Sequence, residues 1–238
     1  MNRIPVPHPA LLLCSLVPLT AAAEWPQWRG PQRTGNVSTG PLRSELPADG
    51  LQPLWKIESF AGGNSGGWSS PAIAEGRVYL YSHTKTKNPD AANLGEAQFP
   101  WLPPEKRTSM TDQEYQEYEV KRRDENERRA KAFRFDERLL CLDLSSGELI
   151  WDRTLPSKYT RFTHSGTPWV ADGRVFVLGA ERTARCYDAA TGEVLWTHSY
   201  EANYTVSYPA GPRATPLVEG QRVYTLGAEG HLLCLATS

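Results

Sequence analysis

Short apolar runs recur along the chain and are separated by acidic residues followed by glycine. Residues 70–80, 167–177 and 215–224 each carry two such runs, rich in β-branched and aromatic residues. A glycine that accepts a positive φ between two such runs is typical of a tight β-hairpin. The pattern therefore predicts three hairpins, with turns at Glu75-Gly76, Asp172-Gly173 and Glu219-Gly220.

A second pattern follows the first two hairpins. Asp143 to Trp151 and Asp188 to Trp196 both spell Asp-x-x-[Ser/Thr]-Gly-x-x-x-Trp, and the copies start 45 residues apart. An aspartate side chain can bond the backbone of such a turn, and the glycine accepts the left-handed conformation. An apolar run centred on cysteine precedes each copy, and a third such run surrounds Cys234. One unit is therefore predicted to hold four antiparallel strands.

A four-stranded unit that recurs in this way is typical of a β-propeller blade, which cannot bury its faces alone. The Asp-x-x-[Ser/Thr]-Gly-x-x-x-Trp pattern resembles the tryptophan-docking repeat of pyrroloquinoline-quinone (PQQ)-like propellers. The resemblance covers residues 52–83 and 138–238. It implies an all-β fold, an incomplete propeller of about three to four blades. It also implies docking roles for Trp55, Trp151 and Trp196 and for the turn residues Asp143, Gly147, Asp188 and Gly192.

The chain before the repeats divides into two parts. Residues 1–23 combine Arg3, an apolar stretch and Ala21-Ala-Ala23, which predicts a cleaved signal peptide and a periplasmic or secreted product that begins at Glu24. The opening Trp25-Pro-Gln-Trp28-Arg-Gly30 resembles that of a group of secreted bacterial proteins with these repeats. We expect residues 24–51 to pack on the side or rim of a propeller domain that spans 52–238.

An insertion interrupts the first unit and is predicted at residues 84–137. Its second part starts with the capping-box pattern of Thr111 and Glu114 and continues with acid-before-base pairs at i,i+4 spacing. These features predict a charged helix over about 111–134 that projects from one end of the propeller. Two interpretations stay open: a solvated decoration, or a partner-binding arm that uses Tyr115, Tyr118, Phe133 and Phe135.

Composition excludes several classes of protein. The 26 basic and 27 acidic residues give a net charge of −1, so no basic surface for nucleic acid is expected. The apolar part of residues 1–23 is too short to span a membrane. Cys141, Cys186 and Cys234 occupy equivalent positions in successive units, which predicts buried free thiols rather than disulfides. The sequence has no paired Cys or His spacing for zinc.

Two functional hypotheses follow from the resemblance. The favoured one is a non-enzymatic scaffold that binds other proteins through its rims or its insertion, similar to the outer-membrane assembly factor BamB, with no catalytic residue, metal or cofactor. The alternative is a quinoprotein oxidoreductase, or a fragment of one, that uses PQQ with calcium. The fold alone does not decide between them.

The third unit is shorter than the others. After Cys234 and Leu235 come Ala236-Thr-Ser238, where the other units have the aspartate, the glycine turn and the tryptophan. We therefore expect a piece of a longer protein that forms an open arc with one bare strand edge.

Overall fold

The computed structural model describes residues 24–37, 44–58, 60, 69–157, 166–180, 182–201, 214–227 and 230–238. Within these residues the chain forms eleven strands and two helices. The first unit contains β1 (Ala72–Ala74), β2 (Arg77–Lys87), α1 (Pro104–Arg107), α2 (Asp112–Ala130), β3 (Phe133–Asp143) and β4 (Leu149–Ser157). The second contains β5 (Trp169–Ala171), β6 (Arg174–Leu178), β7 (Thr183–Asp188) and β8 (Val194–Ser199), and the third contains β9 (Leu217–Glu219), β10 (Arg222–Leu226) and β11 (Leu232–Ala236).

Each unit is a separate antiparallel sheet whose strands follow chain order. Two sheets have four strands, β1 to β4 and β5 to β8, and the third has the three strands β9 to β11. The two complete sheets share a bulge at the same place, after the pairs Cys141–Trp151 and Cys186–Trp196. These sheets confirm the predicted all-β fold of incomplete propeller blades, and we call them the first, second and third blade.

The hairpin turns follow the predicted glycines with one shift. Glu75 and Asp172 adopt positive φ of 52° and 49° ahead of their glycines, so both turn residues are left-handed. In the third blade Glu219 pairs with Arg222, so the turn is Gly220-Gln221 and lies one residue later than predicted. Glu219 remains in its strand because its backbone completes the pairing of β9 with β10.

Apolar side chains fill the spaces between successive blades. One cluster joins the first and second blades and includes Tyr79, Trp151 and Val175, each buried. Another joins the second and third and includes Phe176 and Val223. The innermost strands also touch in succession, β1 with β5 and β5 with β9. The blades therefore stack face to face around a common axis, as propeller blades do.

The N-terminal segment lies on the innermost strands. Trp25 exchanges two backbone hydrogen bonds with Ile73 of β1, of 2.8 and 2.9 Å, and the Val170 N–H of β5 donates to the Pro26 carbonyl at 2.8 Å. Residues 24–37 thus contact two blades next to the axis, whereas the sequence predicted the side or rim. Residues 44–51 are exposed throughout.

The insertion is shorter than predicted. Strands β2 and β3 pair along their whole length, from Arg77–Asp143 to Lys87–Phe133, so residues 84–87 and 133–137 belong to the blade. Helix α2 carries the predicted capping box, but it ends at Ala130 instead of 134. The helix stops there because residues 133 and 134 pair with β2 in the sheet, and residues in a helix cannot form these pairs.

One face of α2 is anchored to the loop that precedes it. The Glu125 carboxylate accepts hydrogen bonds from the Gln98 and Phe99 N–H groups at 2.9 and 2.7 Å, and these bonds lower its pKa. The Arg129 guanidinium donates to the Leu94 and Gly95 carbonyls at 2.9 and 2.8 Å. The insertion therefore folds on itself as a loop and a helix.

The four aromatic residues proposed for a partner-binding arm have contacts within the chain. Tyr118 donates to the Pro100 carbonyl at 2.7 Å, and Tyr115 lies under the Arg107 guanidinium. The Lys85 ammonium lies 3.9 Å from the ring centre of Phe133, and Phe135 is buried against His83. Phe135 is therefore part of the core, whereas Tyr115, Tyr118 and Phe133 stay partly exposed.

Replacing residues 89–131 with Asn-Gly should preserve the blades. The Asn88 N–H already donates to the Ala132 carbonyl at 2.9 Å, so the two ends are positioned for a two-residue hairpin. We expect the β signal in far-UV circular dichroism to remain and the helical signal at about 222 nm to fall, because α2 holds most of the described helix. Loss of all folded signal would show that the insertion is part of the core.

The three cysteines in the described part of the chain are free thiols, and two of them are buried. Cys141 and Cys186 are fully buried in the middle of their blades, and burial raises their pKa to about 11 and about 12. The prediction was wrong for Cys234, which is exposed. Its strand β11 has a neighbour on one edge only within the described residues, whereas β3 and β7 have neighbours on both.

Thiol labelling should separate these cysteines. In a Cys14→Ser background, Ellman's reagent should react quickly with Cys234 in the native chain, and with Cys141 and Cys186 only after unfolding in denaturant. Cys234→Ser is the control and should abolish the fast phase. A fast phase that survives this change would mean that one of the two blades opens readily.

Candidate functional site

The repeated turns are built around their aspartates. The Asp143 carboxylate accepts hydrogen bonds from the backbone N–H and the hydroxyl groups of both Ser145 and Ser146, at 2.6 to 3.1 Å. These bonds, first of all that from the Ser145 hydroxyl, lower its pKa to about 2. The Asp188 carboxylate accepts in the same way from Ala190 and Thr191, which lowers its pKa as well. Both aspartates are therefore committed to turn geometry.

Trp151 of the first blade packs on the turn of the second blade. The Trp151 indole Nε1–H donates to the Ala189 carbonyl at 3.1 Å, and its ring covers Gly192. A Cβ at Gly192 would lie 2.7 Å from ring carbons, and φ there is 72°, so both space and backbone conformation require glycine. The Tyr79 hydroxyl donates to the same carbonyl at 3.2 Å. The turn of the second blade is thus joined to the first.

Two other tryptophans make the equivalent contact. The Trp55 Nε1–H donates to the Leu144 carbonyl at 3.0 Å, with its ring over Gly147, which has a φ of 73°. The Trp196 Nε1–H donates to the Thr237 carbonyl at 3.1 Å. The structure therefore brings Trp55, Trp151 and Trp196 each onto the third residue after a cysteine, in the blade that follows.

A buried ion pair joins the first two blades, and the sequence interpretation missed it. The Glu137 carboxylate of β3 accepts from the Arg185 guanidinium of β7, the Ala180 N–H at 2.6 Å and the Ser157 hydroxyl at 3.0 Å. Glu137 is 3% and Arg185 8% exposed. The sequence did mark this position. Arg185 directly precedes Cys186, whereas leucine precedes the cysteine in the other two units, as Leu140 and Leu233.

The histidines in the described part of the chain differ in their surroundings. His83 stacks on Phe135, whereas His198 and His231 are exposed. Among the described residues, no group of three or more His, Cys, Asp or Glu side chains is placed to hold a metal ion. Neither described helix has the length and apolar composition of a membrane span. The predicted signal peptide, residues 1–23, lies outside the described residues.

Comparisons with known proteins agree with the repeat. Residues 134–238 match the family model described as outer membrane protein assembly factor BamB. No curated protein gives a significant match. Among solved structures, BamB from Moraxella catarrhalis is 21% identical with a TM-score of 0.34, over 44% of this chain and 30% of that chain. A europium-containing methanol dehydrogenase is 17% identical with a TM-score of 0.43, over 75% of this chain and 24% of that chain.

The chain thus spans less than a third of the length of either solved structure. The family match runs from β3 of the first blade to the end of the third blade. It therefore includes both copies of the Asp-x-x-[Ser/Thr]-Gly-x-x-x-Trp pattern. In its blades and over residues 134–238, this chain is similar to PQQ-like β-propeller repeat proteins of the BamB type.

Proposed function

We propose that the chain is a non-enzymatic, extracytoplasmic propeller scaffold that binds other proteins through its rims or its insertion. The observation that carries the proposal is the match of residues 134–238 to the BamB family model. An outer membrane assembly factor works outside the cytoplasm, which agrees with the signal peptide predicted at residues 1–23. The mass of the exported product tests this location, since it should begin at Glu24.

The contacts of the acidic groups support a scaffold role. Asp143 and Asp188 hold turns, and Glu137 holds the second blade against the first through Arg185. A catalytic acid or base must reach a substrate proton, and these carboxylates already accept several hydrogen bonds inside the chain. The tryptophan-docking residues therefore have a structural role in this proposal: they fix the blades that present the binding surfaces.

Cofactor addition tests the scaffold against the oxidoreductase alternative. The purified chain is melted with and without PQQ and Ca²⁺, and dye reduction is assayed with alcohols and glucose as substrates. We expect an unchanged melting temperature and no dye reduction, because a protein-binding scaffold needs no cofactor. A higher melting temperature together with dye reduction would contradict the scaffold and favour a quinoprotein oxidoreductase.

Photo-crosslinking tests the partner contact itself. A benzophenone amino acid is placed at Glu117, on the exposed face of α2, or at Glu219, at the exposed end of β9. In cells that export the chain, at least one position should give an adduct of defined mass with another envelope protein. Adducts at neither position would count against both proposed surfaces.

A further inference from the structure

A cleft of about 240 Å³ lies between the N-terminal segment and the inner strands of the second and third blades. Trp28, Arg29 and Arg33 line it from the segment, and Trp169 of β5 and Leu217 of β9 line it from the blades. Trp169 is 7% exposed, so its ring forms part of the wall, whereas Trp28 is 54% exposed and stands at the opening. The cleft is thus an aromatic recess beside the propeller axis.

Two guanidinium groups lie over the rings of this cleft. The Arg33 guanidinium lies 4.9 Å from the ring centre of Trp169, and that of Arg29 lies 5.6 Å from the ring centre of Trp28. Within the described part of the chain, neither has an acidic partner within 4.0 Å. The Arg29 guanidinium donates one hydrogen bond to the Thr34 carbonyl at 3.1 Å. An arginine stacked on an aromatic face keeps its other N–H groups at its edge for carboxylate oxygens. The charge of the cleft therefore favours an acidic ligand.

The segment that carries the arginines is held in a fixed conformation. Gly30 donates to the Gln27 carbonyl at 3.1 Å, and Gly35 donates to the Arg29 carbonyl at 3.0 Å. Arg29 and Arg33 themselves adopt positive φ of 67° and 59°, a region that costs free energy for residues with a side chain. The ring of Trp25 fills the space above Gly30. The backbone that carries the two arginines is therefore set before any ligand binds, which reduces the entropy lost on binding.

The volume of the cleft restricts the size of the ligand. Pockets for whole small molecules typically enclose about 300–1,000 Å³, so this cleft is too small for most of them. It has room for an anchoring side chain of a peptide. Tryptophan and arginine at a concave, partly exposed position are the residues that most often dominate protein–protein binding.

We infer that this cleft docks an acidic peptide segment of a partner protein. An apolar side chain of the peptide enters between Trp28, Trp169 and Leu217, and flanking carboxylates pair with Arg29 and Arg33. The inference rests on the proposed scaffold function and specifies one of its binding surfaces.

Fluorescence anisotropy with three labelled heptapeptides tests the inference on the full purified chain. The probe is Glu-Asp-Glu-Phe-Asp-Glu-Gly. In a second peptide the acids are replaced by their amides, and in a third the phenylalanine is replaced by serine. The acidic aromatic peptide should bind at least tenfold more tightly than either of the others, and added salt should weaken its binding.

Matched variants show where the probe binds. Arg29→Gln with Arg33→Gln should weaken binding at least tenfold, as should Trp28→Ala. The control Lys121→Gln with Arg128→Gln removes the same charge from exposed positions of α2 and should leave binding unchanged. Circular dichroism confirms that each variant is folded.

Three results would overturn the inference: no binding of the acidic aromatic peptide, equal binding of its amide counterpart, or unchanged binding by the double arginine variant. These failures leave the scaffold proposal standing if crosslinks form at Glu117 or Glu219. Dye reduction with PQQ and Ca²⁺ would instead remove the scaffold proposal itself.

Discussion

Replacing Trp151 with alanine is expected to lower the free energy of unfolding by about 3–5 kcal/mol. The side chain is 6% exposed, packs against Tyr79 and donates to the Ala189 carbonyl of the next blade. The change removes a large buried ring, leaves a cavity between two blades and leaves that carbonyl with fewer donors. Urea unfolding followed by circular dichroism measures the effect.

Two controls separate docking from the general effect of losing a tryptophan. Trp101 is 57% exposed, so Trp101→Ala should change the stability by less than about 1 kcal/mol. Gly192→Ala meets the Trp151 ring at 2.7 Å, whereas Gly173→Ala has a similar positive φ and meets nothing within 4 Å. Gly192→Ala should therefore be the more destabilising of the two. Equal losses for Trp151→Ala and Trp101→Ala would contradict the docking contact.

Replacing Glu137 with alanine should cost a similar amount, about 3–5 kcal/mol, because Arg185 then remains buried without its acidic partner. The Ala180 N–H and the Ser157 hydroxyl also lose their acceptor. The measurement is again urea unfolding, compared with Glu58→Ala, which breaks the exposed pair of Lys56 and Glu58. The exposed change should cost less than about 1 kcal/mol.

A double variant checks the cause of the loss. Glu137→Met combined with Arg185→Met removes both charges, and we expect it to be more stable than Glu137→Ala because no unpaired charge stays buried. If the double variant were less stable than the single one, or if Glu137→Ala cost under about 1 kcal/mol, the ion pair would not hold the first two blades together.

Features set by neighbours in the chain could be predicted from the sequence. The hairpins and the propeller fold follow from glycine at positions that need positive φ, such as Gly76 and Gly173, and from the regular spacing of the repeats. The start of α2 follows from the capping box of Thr111 and Glu114, two residues only three positions apart.

Features set by distant contacts could not be predicted in this way. Helix α2 ends early because Phe133 pairs with Lys87 across the insertion. The N-terminal segment lies beside the axis because Trp25 pairs with Ile73, and this backbone contact leaves no pattern in the side chains. Glu137 and Arg185 lie 48 residues apart, and only the comparison of equivalent positions marks Arg185 as unusual.

Hydrogen exchange of the indole N–H groups tests whether tryptophans join the blades by donating to backbone carbonyls of the blade that follows. In ¹H–¹⁵N spectra assigned with single Trp→Phe variants, the Nε1 protons of Trp55, Trp151 and Trp196 should exchange with solvent far more slowly than that of the exposed Trp101. Exchange of these three protons as fast as that of Trp101 would show that the indole N–H groups are not held in hydrogen bonds between blades.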